Sequence, residues 1–261
     1  APYRAVDSLE SLKQAVAELG LPIVLKTVTG GYDGKGQFVL RSEDQIDTAW
    51  AELGPAKSLI AESFVKFSRE VSIIAVRGQD GDVKTWALAE NHHHNGILSH
   101  SIVPAPNSTD LQPVAQDYIT RLLNHLNYVG VLTLELFVTE QGLYANEMAC
   151  RVHNSGHWSI EGAICSQFEN HIRAVAGLPL GATDVVRPTV MINIIGQHPK
   201  SEDVLALKGA HLHLYNKSER AGRKLGHITL MPNNSDELTV LCRQLAQILP
   251  VPLALTTDMN L

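Results

Sequence analysis

Two glutamates, Glu135 and Glu147, stand near the ends of the segment LELFVTEQGLYANE. Residues 129–138 alternate in strand fashion, and so do residues 143–149. The polar stretch Thr139, Glu140, Gln141 and Gly142 between them suits a hairpin loop. That hairpin puts Glu135 opposite Glu147, or one position from it, and opposed side chains lie roughly 5 Å apart. Carboxylates held so close repel unless a cation sits between them. Magnesium is a hard ion that takes carboxylate oxygen and keeps room for phosphate and water. Asn146 adds an amide oxygen, and Arg151, His153 and Asn154 follow within one short loop. The plainer alternative is an exposed hairpin with solvated glutamates on one face.

The elements that would position such a centre read as follows. Residues 8–19 place Leu9, Leu12, Val16 and Leu19 on one helical face, capped by Asp7 or Ser8 and stopped by Gly20. The strand LPIVLK ends on Lys26, whose ammonium either snorkels to water or meets an anion. GGYDGKGQ follows at 30–37, with four glycines in eight positions. Glycines expose backbone N–H groups that can line a phosphate. A strand, QFVLR, comes next, so the segment is neither a dinucleotide fingerprint nor a P-loop, both of which need a helix there. It reads as a lid over phosphates or as an ordinary mobile turn. Ser42 to Gln45 predicts a capping box opening a helix with Ile46, Trp50 and Leu53 inward, closed by Gly54 and Pro55.

Two strands carrying Glu62 and Glu70 come after it. Adjacent residues on an extended chain face opposite ways, so His92, His93 and His94 cannot bind one metal as a set. They read as a loop with His93 facing a cleft. Residues 111–127 predict a helix with Val114, Ile119, Leu122 and Leu126 inward. Residues 157–176 predict one long helix with Ile160, Ile164, Phe168, Ile172 and Val175 in register. From 183 the order is strand, helix, strand, loop, strand, helix. The loop holds Lys217, Arg220, Arg223 and Lys224, four cations in eight residues. It is either a solvated basic loop or a grip for a phosphate.

Bulk properties narrow the classes. The 261 residues are 44% hydrophobic and 18% charged, with net charge −6. There is no concentrated basic face for nucleic acid and no apolar run of membrane-spanning length. Three cysteines, odd in number and widely spaced, fit reduced thiols in a cytoplasmic protein better than disulfides or a zinc site. No repeat, low-complexity tract or coiled coil is present. The chain opens without Met and without a signal or transit peptide, so it reads as processed or as part of something longer.

These residues carry a resemblance. The chain resembles the ATP-grasp superfamily. Within it, GGYDGKGQ, NHHHNGIL, NEMACRVHNSGH, SQFENH and GRKLGH resemble the N5-carboxyaminoimidazole ribonucleotide synthetases of purine biosynthesis, nearly end to end. The resemblance implies an α+β fold: a lid subdomain at 1–66, a central subdomain at 67–182 with the metal and bicarbonate site, and a small α/β C-terminal domain at 183–261. It implies an enzyme that uses ATP and Mg2+ to carboxylate 5-aminoimidazole ribonucleotide with bicarbonate through carboxyphosphate. Lys26 and Lys35 would bind ATP phosphates under the lid Gly31, Tyr32, Asp33, Gly34, Lys35, Gly36 and Gln37. Glu62, Ser63, Phe64 and Val65 would hold adenine, Glu70 the ribose, and His93 would line the nucleotide site. Glu135 and Glu147 would ligate magnesium beside Asn146, and Arg151 and His153 would hold bicarbonate or carboxyphosphate. Tyr32 and Asp33 would approach the aminoimidazole, with Asp33 orienting or deprotonating its amine. Asn154 would touch substrate, and Lys217 with Arg223 or Lys224 would grip the ribotide phosphate.

The family is often dimeric, so a homodimer is implied, without nucleic acid or membrane partners. Cys150 and Val152 stand where the family usually has prolines, so a looser bicarbonate loop is expected. A Rossmann-like first domain of the family has no counterpart here, so a fragment that binds nucleotide but turns over poorly is expected. Two alternatives stay open: an ATP-grasp ligase for another small acid such as formate, and a non-catalytic ATP-binding module.

Overall fold

The computed structural model describes residues 1–30, 36–54 and 58–251. The chain divides into two compact units, residues 1–67 with 95–97, and the remainder.

The first unit is an antiparallel sheet covered by two helices. Its elements are β1 (Tyr3–Val6), α1 (Leu9–Leu19), β2 (Ile23–Thr27), β3 (Gln37–Leu40), α2 (Ile46–Leu53) and β4 (Leu59–Ser63), with strand order β1-β4-β2-β3. Ser8 caps α1 in a reciprocal box: its hydroxyl accepts from the Ser11 amide while the Ser11 hydroxyl accepts from the Ser8 amide. Leu12, Ala15 and Val16 of α1 and Ile46 and Ala49 of α2 bury against Ile23, Leu25, Leu40, Leu59 and Ala61. Strand alternation then sends Val24 and Lys26 to the opposite face. Two details differ from expectation. β1 lies ahead of the first helix, where the pattern flags no strand. Ser42 makes no side-chain cap, and the helix enters through a 3-10 turn at Glu43–Gln45. The Gln45 side chain accepts from the Arg41 amide instead.

The second unit contains β5 (Arg69–Arg77), β6 (Val83–Thr85), β7 (Ala89–His94), β8 (Ile97–Val103), α3 (Leu111–His125), β9 (Gly130–Thr139), β10 (Gly142–Ala149), α4 (Ser159–Gly162), α5 (Gln167–Val175), β11 (Thr189–Ile195), α6 (Ser201–Leu205), β12 (Ala210–Leu214), β13 (Lys224–Leu230) and α7 (Ser235–Ile248). One nine-stranded sheet runs β10-β9-β5-β7-β8-β11-β13-β12, with β6 on β5. The module from 183 onward continues this sheet, because β11 pairs with β8 from Thr189↔Val103 to Ile192↔His100.

The central strands sort their side chains to two faces. Val71, Ile73 and Ala75 of β5 and Leu132, Leu134 and Leu136 of β9 pack on Ala115, Ile119 and Leu123 of α3. Ile74, Val76 and Val131 point the other way, to Trp158, Ala163 and Ala174. Glu70, Ser72 and Glu135 share that second face by the two-residue period.

Three expectations about this unit are corrected. His92 to His94 end a strand rather than forming a loop. Val114 and Leu126 are exposed at 40% and 45%, because α3 buries the stripe through Ala115, Ile119 and Leu123. The long helix at 157–176 is two short ones, with the apolar stripe outward: Ile164 is 64% and Ile172 65% exposed. Ala163 is extended and bridges Val185, and the Ser166 hydroxyl caps α5 by accepting from the Glu169 amide. The buried face of α5 is Gln167, Asn170 and Ala174. Its polar members stay buried because they are hydrogen-bonded. Gln167 accepts from the His153 amide and donates to the His153 carbonyl, and Asn170 does the same for Gly181.

Candidate active site

The hairpin of β9 and β10 turns through two residues, Glu140 and Gln141, rather than the four expected. Ala145 opposes Leu136, and regular pairing beyond it would set Glu147 against Leu134 on the α3 face. A β-bulge at Asn146 interrupts the register, so Glu147 opposes Glu135 instead. A bulge of this kind re-aims a side chain by one extra residue. It carries Glu147 off the core face and onto the face of Glu135.

Glu135 stands in a ring of ionisable groups. Ser72 is directly opposite it on β5. The Glu135 side chain is only 14% exposed, and His153 Nε2 is 3.6 Å away from it. Burial first, then the Glu147 carboxylate, pushes the Glu135 carboxyl up to about 7. The buried His153 ring goes the other way, to about 4, through burial and then the Arg151 cation. Near neutral pH the two therefore form no ion pair, and 3.6 Å is too long for a strong hydrogen bond. His93 sits 3.3 Å from Glu70. Burial opposes charge on His93, but the Glu70 hydrogen bond and the charges of Glu70, Glu135 and Glu147 outweigh it and raise its pKa.

A carboxyl held near 7 by burial and a like charge is a position that a cation would relieve. Among the described residues no group of three or more His, Cys, Asp or Glu could hold a metal. The acid pair with the neighbouring amide is thus a sparse oxygen set of the kind magnesium uses when phosphates and water complete its shell. These donors fit that ion.

The loop after β10 is pinned closely. The Tyr128 hydroxyl donates to the Cys150 carbonyl at 2.8 Å. Gln167 holds both backbone groups of His153, and Val152 packs on the Trp158 cluster. Gly156 has no room for a side chain, because a Cβ there would lie 2.4 Å from Ile74 Cδ1. Arg151 is exposed and bonds the Val152 carbonyl at 3.0 Å.

Asn154 accepts from the Lys224 ammonium. The Lys224 and Lys217 ammonium groups lie 5.4 and 5.5 Å from the centre of the Tyr215 ring. Arg223 instead folds back on its own loop, donating to the Ser218 hydroxyl at 2.9 Å. Beneath the two lysines lies a network absent from the sequence reading. His213 and His227 stack with centroids 4.3 Å apart. His213 donates to Glu161 at 2.6 Å, and His227 pairs with the Tyr215 hydroxyl at 2.6 Å. His157 lies beside His227 and is held down to about 2 by burial and the Lys224 charge.

Comparison with known proteins bears on this arrangement. Residues 1–168 match the ATP-grasp domain, and residues 189–240 match the phosphoribosylaminoimidazole carboxylase C-terminal domain. The N5-carboxyaminoimidazole ribonucleotide synthase of Vibrio vulnificus is 48% identical over 255 residues, covering 95% of this chain and 67% of that one. The chain therefore spans about two thirds of that relative's length. A crystal structure of the synthetase from Thermus thermophilus superposes with TM-score 0.88 at 46% identity, over 96% of this chain and 68% of that one. The chain belongs to the N5-carboxyaminoimidazole ribonucleotide synthase family. A third member, the Aspergillus clavatus synthase solved in complex with ADP and 5-aminoimidazole ribonucleotide, superposes with TM-score 0.86 at 30% identity, covering 95% of this chain and 68% of that one.

The other residues that this family resemblance singles out sit as follows. In the first unit Lys26 Nζ pairs with Glu62 Oε2 at 2.8 Å, across a diagonal of the β2–β4 ladder. The Ser63 and Phe64 amides donate to the Pro2 and Pro22 carbonyls, and Arg41 lies over the Phe64 ring. Val65 follows the end of β4. The Thr27 amide donates to the carbonyl of Gly36 at 2.8 Å, and Gln37 starts β3. Gly31, Tyr32, Asp33, Gly34 and Lys35 lie outside the described residues. In the second unit, Glu70, His93, Glu135, Glu147, Arg151, His153, Asn154 and Lys224 are positioned by β5, β7, the β9–β10 hairpin, the loop after it and β13.

Proposed function

We infer that this chain carries out the family reaction: ATP-dependent carboxylation of 5-aminoimidazole ribonucleotide in purine biosynthesis. ATP phosphorylates bicarbonate to carboxyphosphate and leaves as ADP. The exocyclic amine of the ribotide then attacks the carboxyl carbon, the C–O bond to phosphate breaks, and the amine loses a proton. The observation that carries this reading is the acid pair set face to face by the Asn146 bulge beside a pinned Arg-Val-His-Asn loop, in a chain of this family.

The residue roles in this reading are those that the family resemblance implies. Glu135 and Glu147, with Asn146 alongside, would hold magnesium, which when bound neutralises charge on ATP phosphates. Lys26 and Lys35 bind phosphate, Glu62 to Val65 read adenine, and Glu70 takes the ribose with His93 beside it. The Arg151 guanidinium, whose planar fork matches a carboxylate, holds the bicarbonate charge, and His153 contacts the same anion. Lys224, Lys217 and Asn154 grip the ribotide phosphate. Asp33 orients the amine. Catalysis of this kind is mostly positioning and charge neutralisation. A cytoplasmic location and a homodimer belong to the same reading. Among the described residues no helix is long and apolar enough to cross a membrane, and light scattering checks the dimer.

The test is ADP release with bicarbonate and aminoimidazole ribotide each omitted in turn. Release that needs bicarbonate and is coupled to ribotide carboxylation supports the reading. Release driven equally by formate would assign a different acid, and none under any condition from a protein spanning the relatives' full length would leave a binding module.

A further inference from the structure

A chain of buried hydrogen bonds crosses the sheet behind His153. The Ser101 hydroxyl donates to Asn91 Oδ1 at 2.7 Å, and Asn91 Nδ2 donates to the Ser72 hydroxyl at 3.0 Å. Ser72 donates to the Ser155 hydroxyl at 2.8 Å, and the Ser155 hydroxyl lies 2.9 Å from His153 Nδ1. Ser72, Ser101 and Ser155 are fully buried and Asn91 nearly so, at 4%. Water therefore does not compete, and each proton must find an acceptor within the chain.

The direction of the chain follows from counting protons. An amide nitrogen only donates, so Ser72 accepts from Asn91 and its own proton must go elsewhere. The hydroxyl of Ser155 is the partner it has. Ser155, having accepted, sends its proton on to His153 Nδ1. Reversing the last two bonds would leave the Ser72 proton buried without an acceptor, at a cost of about a full hydrogen bond. A second donor agrees: the Ser155 backbone N–H points at the same Nδ1 from 3.3 Å, and a backbone N–H cannot reverse.

We propose that Ser101, Asn91, Ser72 and Ser155 are positioning residues that lock His153 as the Nε2–H tautomer, so that the ring presents a hydrogen-bond donor, not a base, on the face it shares with Glu135. Nδ1 carries the lone pair and is occupied from behind. Nε2–H is left facing the site, 3.6 Å from Glu135 Oε1, where it can donate to an anionic oxygen. Resting on the reading above, that oxygen belongs to bicarbonate or carboxyphosphate. His153 then stabilises the anion without removing a proton from it, and the proton lost by the attacking amine goes to another group.

The tautomer is read directly by nitrogen NMR of the chain with 15N-labelled histidine rings, His153 being assigned by its loss in His153→Gln. The expected result is Nδ1 resonating as a bare ring nitrogen and Nε2 as an N–H. Asn91→Asp keeps the shape but replaces the donor amide with an acceptor. The Ser72 and Ser155 protons then turn toward it, and Nδ1 becomes protonated. Ser72→Ala frees the Ser155 hydroxyl to accept from the ring, and draws the two signals part of the way together while the Ser155 backbone N–H still faces Nδ1, even if Asn91→Asp fails to fold. A protonated Nδ1 in the unaltered chain would overturn the tautomer, and an unmoved His153 spectrum in folded Ser72→Ala would overturn the positioning role of Ser101, Asn91 and Ser72, leaving the ring to the Ser155 hydroxyl and N–H alone. The role is tested separately. Ser72→Ala should lower kcat/KM for bicarbonate roughly tenfold, the factor of one neutral hydrogen bond, and leave ADP affinity unchanged. Equal losses toward all substrates, with the tautomer shift intact, would retain the lock and refute the bicarbonate role.

Discussion

Replacing Glu135 by Gln should make the second unit more stable at high pH while destroying its metal-dependent chemistry. Its folded carboxyl lies near 7 against an ordinary value of 4.5. Below about pH 4.5 both folded and unfolded chains hold the proton and there is no penalty. Between 4.5 and 7 the folded chain retains a proton that the unfolded chain has released, so stability falls as pH rises. Above 7 the folded chain bears a buried, repelled charge. At 1.36 kcal/mol per pH unit, the move from 4.5 to about 7 costs about 3 kcal/mol. The side chain is 14% exposed, so solvent screening removes little of this. Urea unfolding followed by tryptophan fluorescence suits the measurement, since Trp86 and Trp158 are both buried in this unit. The difference in unfolding free energy between Glu135→Gln and the unaltered chain should grow by about 3 kcal/mol from pH 4.5 to 8. For Glu147→Gln it should grow less, because burial, the larger cause, remains. Parallel pH profiles for Glu135→Gln and the unaltered chain would refute the buried acid pair.

Other expectations follow from single contacts. Gly156→Ala forces a Cβ to within 2.4 Å of Ile74 Cδ1 and should cost about 1–3 kcal/mol, as overpacking does; a melting curve that does not move would contradict the pinned loop. Lys217→Ala should raise the KM for the ribotide more than that for ATP, and equal effects would place the basic loop elsewhere. Ile172→Asp, on the outward face of α5, should change unfolding free energy by no more than about 0.5 kcal/mol, whereas a loss of several would show that face buried. Asp33→Asn should slow ribotide carboxylation more than bicarbonate-dependent ATP cleavage, which parallel initial rates of the two would check.

Much of this fold was legible because its strands and first helix follow plain periodicities. The hairpin joining Glu135 to Glu147 was readable from two alternating segments and a polar turn, but the bulge was not. A bulge is a choice of register, and Asn146 carries no local signal that distinguishes it from a regular strand residue. The helix at 157–176 was misread for a different reason. Its apolar stripe suggested an inward face, yet the buried positions are Gln167 and Asn170, held in by bonds to the backbone of His153 and Gly181. Periodicity reads hydrophobicity and cannot see a satisfied amide. The same blindness hid Ser72, a hydroxyl within an apolar strand, and Asn91, both of which look like noise until the sheet sets them behind His153. The stacked His213 and His227 are far enough apart in sequence that only the β12–β13 pairing brings them together.

The most direct test of the central claim, that Glu135 and Glu147 jointly hold the divalent ion for the nucleotide, is calorimetric titration of ADP into this chain and its Glu147→Gln variant, with and without magnesium. The account predicts that magnesium strengthens ADP binding to the unaltered chain and that this strengthening falls at least roughly tenfold in the variant, the worth of one charged ligand at about 1.4 kcal/mol. The same magnesium dependence in both proteins would contradict it.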